Sequence, residues 1–204
     1  MLRKKEESWI KLSTLITLVF LFIYMILAFQ TGNKEFIYYD FLVAACIVFA
    51  YMIHRRIRLH LPIFILILVV FLMHVSGGDF YFNGARLYDM IFGFLKYDNI
   101  VHFTGTLTAV FVVYNLIHGY FNEKKKYARV YLFLVLSFMA MGFATLIELI
   151  ELIAVLFLNA GPTVGGYMNN AIDLFYNMLG ALIGSIIIVY NHFDFYLKNS
   201  FLYF

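Results

Sequence analysis

Six apolar stretches recur along this chain, near residues 12–30, 36–53, 59–75, 99–119, 130–158 and 171–191. About 20 apolar residues in a helix cross the ~30 Å of hydrocarbon in a bilayer, so each stretch is close to a spanning length. Lipid cannot satisfy exposed backbone N–H and C=O groups. The period-2 alternation of a membrane barrel is missing, which leaves helices. The expected fold is an all-α polytopic membrane bundle of six transmembrane helices, with residues 1–204 forming one membrane domain and no second soluble unit. Composition points the same way: 13% of residues are charged, against about 25% in a typical soluble domain. The third stretch is short and carries Pro62 near its start, which suggests an early break. The fifth is long enough to tilt or to project past the membrane.

Orientation follows from the Lys and Arg residues in the short loops. All but three of the 15 fall on one side of the alternating spans. That side collects Arg3, Lys4, Lys5 and Lys11, then Arg55, Arg56 and Arg58, then Lys124, Lys125, Lys126 and Arg129, and finally Lys198. The other side holds Lys34, Arg86 and Lys96, and the loop 159–170 has none. The first side is therefore expected to be cytoplasmic, with both termini on it, in a multi-pass protein of the cell membrane. No convincing small-x-small cleavage site follows the basic N-terminus, which favours a retained first helix over a removed signal peptide. The basic clusters are short and serve topology, so nucleic-acid binding is not expected. Cys46 is alone and mid-span, which excludes an intramolecular disulfide.

The longest connection, roughly 76–98, lies on the outer side. Leu87, Met90, Ile91, Phe94 and Leu95 recur in it at helical spacing, which predicts a short helix lying in the outer interface. Aromatic residues at the ends of spans, such as Tyr38, Tyr39 and Tyr196, read as interfacial belts. Gly180 and Gly184 form a small-xxx-small strip for close helix packing. The Gly-rich, uncharged loop 159–167 reads as a plain flexible turn.

Ionisable residues inside spans cost at least ~2.5 kcal/mol on insertion scales and mark candidate sites. Asp98 and His102 open the fourth span, four residues apart and so on one face. Glu148 and Glu151 lie about 10 and 7 residues before the outer end of the fifth, ~15 and ~10 Å deep. Asp173 and Asn177 open the sixth, again four apart. His74 and Asp79 end the third on the same side and could join them. His118 and Asn115 look interfacial at the opposite end, and His54, His60 and His192 carry no assigned role. Any single pair reads first as polar glue between helices. Three pairs converging at one depth read instead as a site. Four carboxylates against one histidine cannot all be ionised in a low-dielectric site, so protons or a bound cation must compensate. Carboxylate, imidazole and amide donors suit a divalent metal such as Zn, Mn, Fe or Mg.

Four motifs carry a resemblance: His74-Val-Ser-Gly-Gly-Asp-Phe-Tyr81, Tyr97-Asp98-Asn-Ile-Val-His102-Phe103, Ile147-Glu148-Leu-Ile-Glu151 and Asp173-Leu-Phe-Tyr-Asn177-Met-Leu-Gly180-Ala181. In order and spacing they resemble the YjdF-like membrane family over roughly 60–185, and more distantly VanZ-like proteins of the cell envelope. Asn99 stands where such relatives usually carry a base, and Asn170 and Asn177 where they often carry acids. The resemblance implies the fold and picks out the same residues without naming a reaction.

The leading expectation is a cell-envelope protein acting at the outer leaflet on an amphiphilic or lipid-linked substrate, as a metal-assisted hydrolase or transferase. In it Asp98, His102, Glu148 and Asp173 hold the metal, Glu151 is a general base on bound water and Asn177 orients the ligand. A proton- or cation-coupled transporter is the second reading, set back by the nearly apolar inner halves of the fifth and sixth spans. A non-catalytic scaffold or resistance factor is the third.

Overall fold

The computed structural model describes residues 2–120 and 127–190, with side chains from residue 5 onward. Lys124, Lys125, Lys126, His192, Tyr196 and Lys198, together with the side chains of Arg3 and Lys4, lie outside the described residues. Six long helices form α1 (Leu2–Thr31), α2 (Lys34–Ile57), α3 (Leu61–Asp79), α4 (Tyr97–Ile117), α5 (Ala128–Leu158) and α7 (Tyr167–Tyr190), with a single turn, α6 (Gly161–Val164), before the last. All six are apolar and long enough to cross a bilayer. The all-α polytopic bundle is thus what the apolar periodicity predicts.

Helix ends are set by local chemistry. Asn33 caps α2, its side chain accepting from Phe36 N at 3.3 Å. Pro62 sits in the first turn of α3, where a missing N–H costs nothing. It starts the helix and does not break it, contrary to the sequence expectation. At 19 residues α3 reaches ~28 Å, about one bilayer core. The loop 159–167 is also more ordered than a plain turn, because α6 occupies Gly161–Val164.

Packing divides the helices into two groups of three. The helices α1, α2 and α3 share one apolar core around Ile10, Ile47 and Phe64. A second core joins α4, α5 and α7 through Val110, Val113, Leu136 and Ala181, with Ile63 of α3 packed into it. At one end Phe36 and Tyr39 of α2 meet Ala154 of α5 and Ala160. That third contact closes the bundle around what proves to be its polar end.

The tightest helix pair is α4 with α7. A Cβ on Gly180 would collide with the Phe103 carbonyl oxygen, and one on Gly184 would lie 3.1 Å from Val110 Cβ. The small-residue strip therefore serves packing, as its spacing predicts.

The connection between α3 and α4 overturns the predicted interfacial helix. Residues 80–97 form two consecutive β-hairpins: β1 (Tyr81–Phe82) with β2 (Ala85–Arg86), then β3 (Ile91–Phe92) with β4 (Leu95–Lys96). A 3₁₀ turn, Leu87–Asp89, links them. Asn83 and Gly84 both take positive φ, 51° and 81°, as a two-residue type I′ turn requires. Gly93, at φ 68°, supplies the left-handed position of the second turn. Turn chemistry outcompeted the accidental helical spacing of Leu87, Met90, Ile91, Phe94 and Leu95. The hairpins repeat with a ten-residue period, closed by Leu87 N to Phe80 O and Tyr97 N to Met90 O, both 2.9 Å. Arg86 and Lys96 consequently occupy equivalent stations, each the last residue of its hairpin.

Gly180→Ala is expected to lower stability by ~2 kcal/mol or more, because backbone on α4 cannot yield to the new methyl. Gly142→Ala, with nothing within 4 Å of its added Cβ, should leave it unchanged or raised. Thermal unfolding of both variants in detergent checks the contrast.

Candidate metal centre

The polar pairs of α4, α5 and α7 converge on one imidazole. His102 Nε2 lies 3.4 Å from Asp98 Oδ1 and 3.9 Å from Asp173 Oδ1. Its other nitrogen, Nδ1, faces Glu148 Oε1 at 3.6 Å and the Asn177 amide at 3.3 Å. Helical spacing explains the first contact, since Asp98 and His102 are one turn apart on α4. The close approach at Gly180 explains the contacts of Asn177, which sits one turn away on α7. Thr106 Oγ1 donates to Asn177 Oδ1 at 2.6 Å, leaving the amide nitrogen to donate to Glu148 Oε1 at 3.3 Å.

Asp98, His102 and Asp173 each offer one donor atom, and those atoms all lie within 4.8 Å of one another. Ligand atoms around a tetrahedral ion at 2.0–2.1 Å are about 3.4 Å apart, so only a small contraction would bring these three onto one ion. Asp173 is 1% exposed, and its Oδ1 has no hydrogen-bond partner. A buried carboxylate oxygen without a donor is costly. Here that atom points into the gap beside His102 Nε2.

Glu148 stands apart from this trio, at the other nitrogen of the ring, and its Oε2 accepts from Asn170 Nδ2 at 3.0 Å. Asn177, 2% exposed, has both ends of its amide engaged by side chains. Glu151 lines a neighbouring cavity of about 30 Å³ together with Asp98, Glu35, Tyr39, His74 and Lys96. That volume holds a water or a small ion and no more. His74 joins the cavity wall, hydrogen-bonded to the Tyr88 hydroxyl at 2.6 Å. Burial pushes the Tyr88 phenol well above its ordinary range, so it stays protonated. Asp79 is not in the cavity lining, and its Oδ2 is buried without a partner. Gly77 and Gly78 of the His74–Tyr81 motif make room for the rings of Tyr88 and Phe36.

The family whose model matches this chain is described as a predicted membrane protein family, DUF2238, and the match covers residues 12–194. The chain belongs to the DUF2238 family. The resemblance to YjdF-like proteins is thereby borne out, since these form the same family. No curated protein and no solved structure matches. Membership in DUF2238 accounts for the membrane bundle and leaves the site to be read from its geometry.

Sequence reasoning missed three contributors. Lys96 belongs to a loop, yet its Nζ reaches Asp98 Oδ2 at 3.2 Å and Asn169 Oδ1 at 3.4 Å. Asn169 in turn donates to Asp173 Oδ2 at 2.6 Å. Glu35, at the start of α2, accepts from the Thr163 hydroxyl across the bundle. The available clues were two turn signals, Asn83-Gly84 for the hairpin that ends at Arg86 and Gly93 for the one that ends at Lys96, because a hairpin returns its last residue to the point where it began.

Asn177→Ala should destabilise the protein by ~1–3 kcal/mol, since Thr106 and Glu148 both lose a buried partner. Thr106→Val should cost less than Asn177→Ala, as it removes a single bond of the same chain. Unfolding in detergent under chelating conditions measures both without interference from bound metal.

Proposed function

We propose that this protein is a metal-assisted hydrolase or transferase acting on a lipid-linked substrate, with its site facing the outside of the cell membrane and both termini cytoplasmic. The observation that carries the reading is the meeting of Asp98 Oδ1, His102 Nε2 and the partnerless Asp173 Oδ1 around one gap. One imidazole and two carboxylates suit Zn, Mn, Fe or Mg and leave coordination positions open for water or substrate. A metal held there acidifies bound water and polarises a substrate oxygen.

The roles expected from sequence are refined by the geometry. Asp98, His102 and Asp173 are the proposed ligands. Glu148 faces the opposite ring nitrogen, where a carboxylate orients a metal-bound imidazole from behind. Asn177 donates to Glu148 Oε1 and so positions the carboxylate that the Nδ1–H of a metal-bound His102 would face. Glu151 lines the adjoining cavity and is the proposed general base.

Two features support a lipid-linked substrate. The cavity, at about 30 Å³, holds no more than a water or a small ion, so the body of a substrate would stay outside it. Around it the hairpins expose Phe80, Phe82, Ile91, Phe92 and Phe94, the last 89% exposed, a surface suited to lipid at the membrane interface. The orientation is supported by the bias of Lys and Arg toward the opposite end.

The transporter reading gains one observation, a buried Ser137–Ser185 hydrogen bond at 3.0 Å farther along the α5–α7 interface. Loss of pH-gradient-driven uptake into vesicles on Ser185→Ala would favour it over catalysis.

Elemental analysis of protein purified in detergent tests the metal directly. About one equivalent of a transition metal or Mg is expected, lost on Asp173→Asn and on His102→Ala. Glu148→Gln should retain the site with ~10–100-fold weaker affinity. Equal metal content in the wild type and in Asp173→Asn would refute the ligand assignment.

A further inference from the structure

The two hairpins do more than connect α3 to α4. Each ends in a cation, and both cations line the cavity beside the trio. Arg86 Nε donates to Asp89 Oδ2 at 2.9 Å, and its Nη2 to the Thr163 carbonyl at 2.9 Å. Burial acts to lower the Arg86 pKa, but the hydrogen bond and charge of Asp89 together with the charge of Glu35 outweigh it and hold the guanidinium above its ordinary value. Lys96 Nζ lies 3.9 Å from Asp89 Oδ1 and 3.2 Å from Asp98 Oδ2. One exposed carboxylate, Asp89, thus links the two cations, and Asp98 is the second anion at Lys96. Among the described residues at this end the remaining basic side chain, Lys34, is exposed and absent from the cavity wall.

A metal ion would change this balance. Asp98 would then give its charge to the metal, and Lys96 would lose its nearest counter-ion. Lys96 and Arg86 would keep Asp89 between them and stand at the mouth with donors to spare. A planar guanidinium and an ammonium at the edge of a divalent site are the groups that recognise phosphate oxygens.

We propose that the substrate of this site carries a phosphate group, held at the cavity mouth by Lys96 and Arg86 beside the Asp98–His102–Asp173 trio. The proposal deepens the metal-assisted reading and rests on it for where the reacting group sits, while the two basic contacts stand without it. Carboxylates share the wall: Glu35, bonded to Thr163, and Glu151. Their charge opposes entry of a phosphate into the cavity itself, which at about 30 Å³ is also too small for one.

The test is binding to the full-length protein in detergent, read by thermal shift and titration with three probes. Inorganic pyrophosphate represents a free phosphate, dihexanoylphosphatidic acid a lipid phosphate, and dihexanoylglycerol the same tails without phosphate. Stabilisation by either phosphate probe and none by dihexanoylglycerol is expected. Tighter binding of the phosphatidic acid assigns a lipid source, and tighter binding of pyrophosphate assigns a free one. Lys96→Gln and Arg86→Gln should each weaken binding at least about tenfold, and Lys96→Arg should retain it. Should Lys96→Gln fail to fold, Arg86→Gln and Lys96→Arg carry the comparison.

Equal binding of dihexanoylglycerol and phosphatidic acid overturns the proposal, as does wild-type affinity in Arg86→Gln. Elemental analysis of the same samples separates the two readings. Metal without phosphate binding sinks this inference alone, and phosphate binding without metal sinks only the metal assignment.

Discussion

The close approach of α4 and α7 is the contact on which the polar end depends. It exists because Gly180 presents no side chain to the Phe103 carbonyl. With the two backbones that near, Asn177 reaches Thr106 and His102 in one step. A larger residue would separate the helices and pull Asp173 away from His102 Nε2. The same glycine that reads as membrane packing therefore also sets the spacing of the proposed ligands.

Burial of charge is the second constraint, and it explains the order of the polar groups. Three of the carboxylates near His102 are approached by an amide, a cation or the imidazole itself. Glu148 takes Asn170 and Asn177, Asp173 takes Asn169, and Asp98 takes Lys96. Asn170 and Asn177 thus act here as donors to a buried carboxylate and add no charge of their own. Asp173 Oδ1 is left over, and it faces the gap that a cation would fill.

Much of the site was legible in advance. Spacing of four along one helix paired Asp98 with His102 and Asp173 with Asn177, and the cost of charge in lipid marked Glu148 as meaningful. Depth along each helix then brought these residues to one level. The side of the ring that each would meet was not legible, because that depends on helix rotation and rotamer. Glu148 and Asp173 look alike in sequence, yet they contact different nitrogens of His102. Lys96 was hidden for another reason: loop geometry, and not helical spacing, carries it back to Asp98.

From its residues alone this chain determines six apolar helices, their alternation and the end of the bundle at which acids collect. Those properties are sums over local terms, the cost of burying backbone and charge in lipid, and each residue contributes independently of its distant neighbours. Tertiary structure decided the rest: which donors share one gap, and how the hairpins return Arg86 and Lys96 to a single cavity. These depend on contacts between residues far apart in the chain, 75 positions for His102 and Asn177, 77 for Arg86 and Thr163 and 128 for Glu35 and Thr163. Only the packing of whole helices, down to one missing Cβ at Gly180, sets such distances.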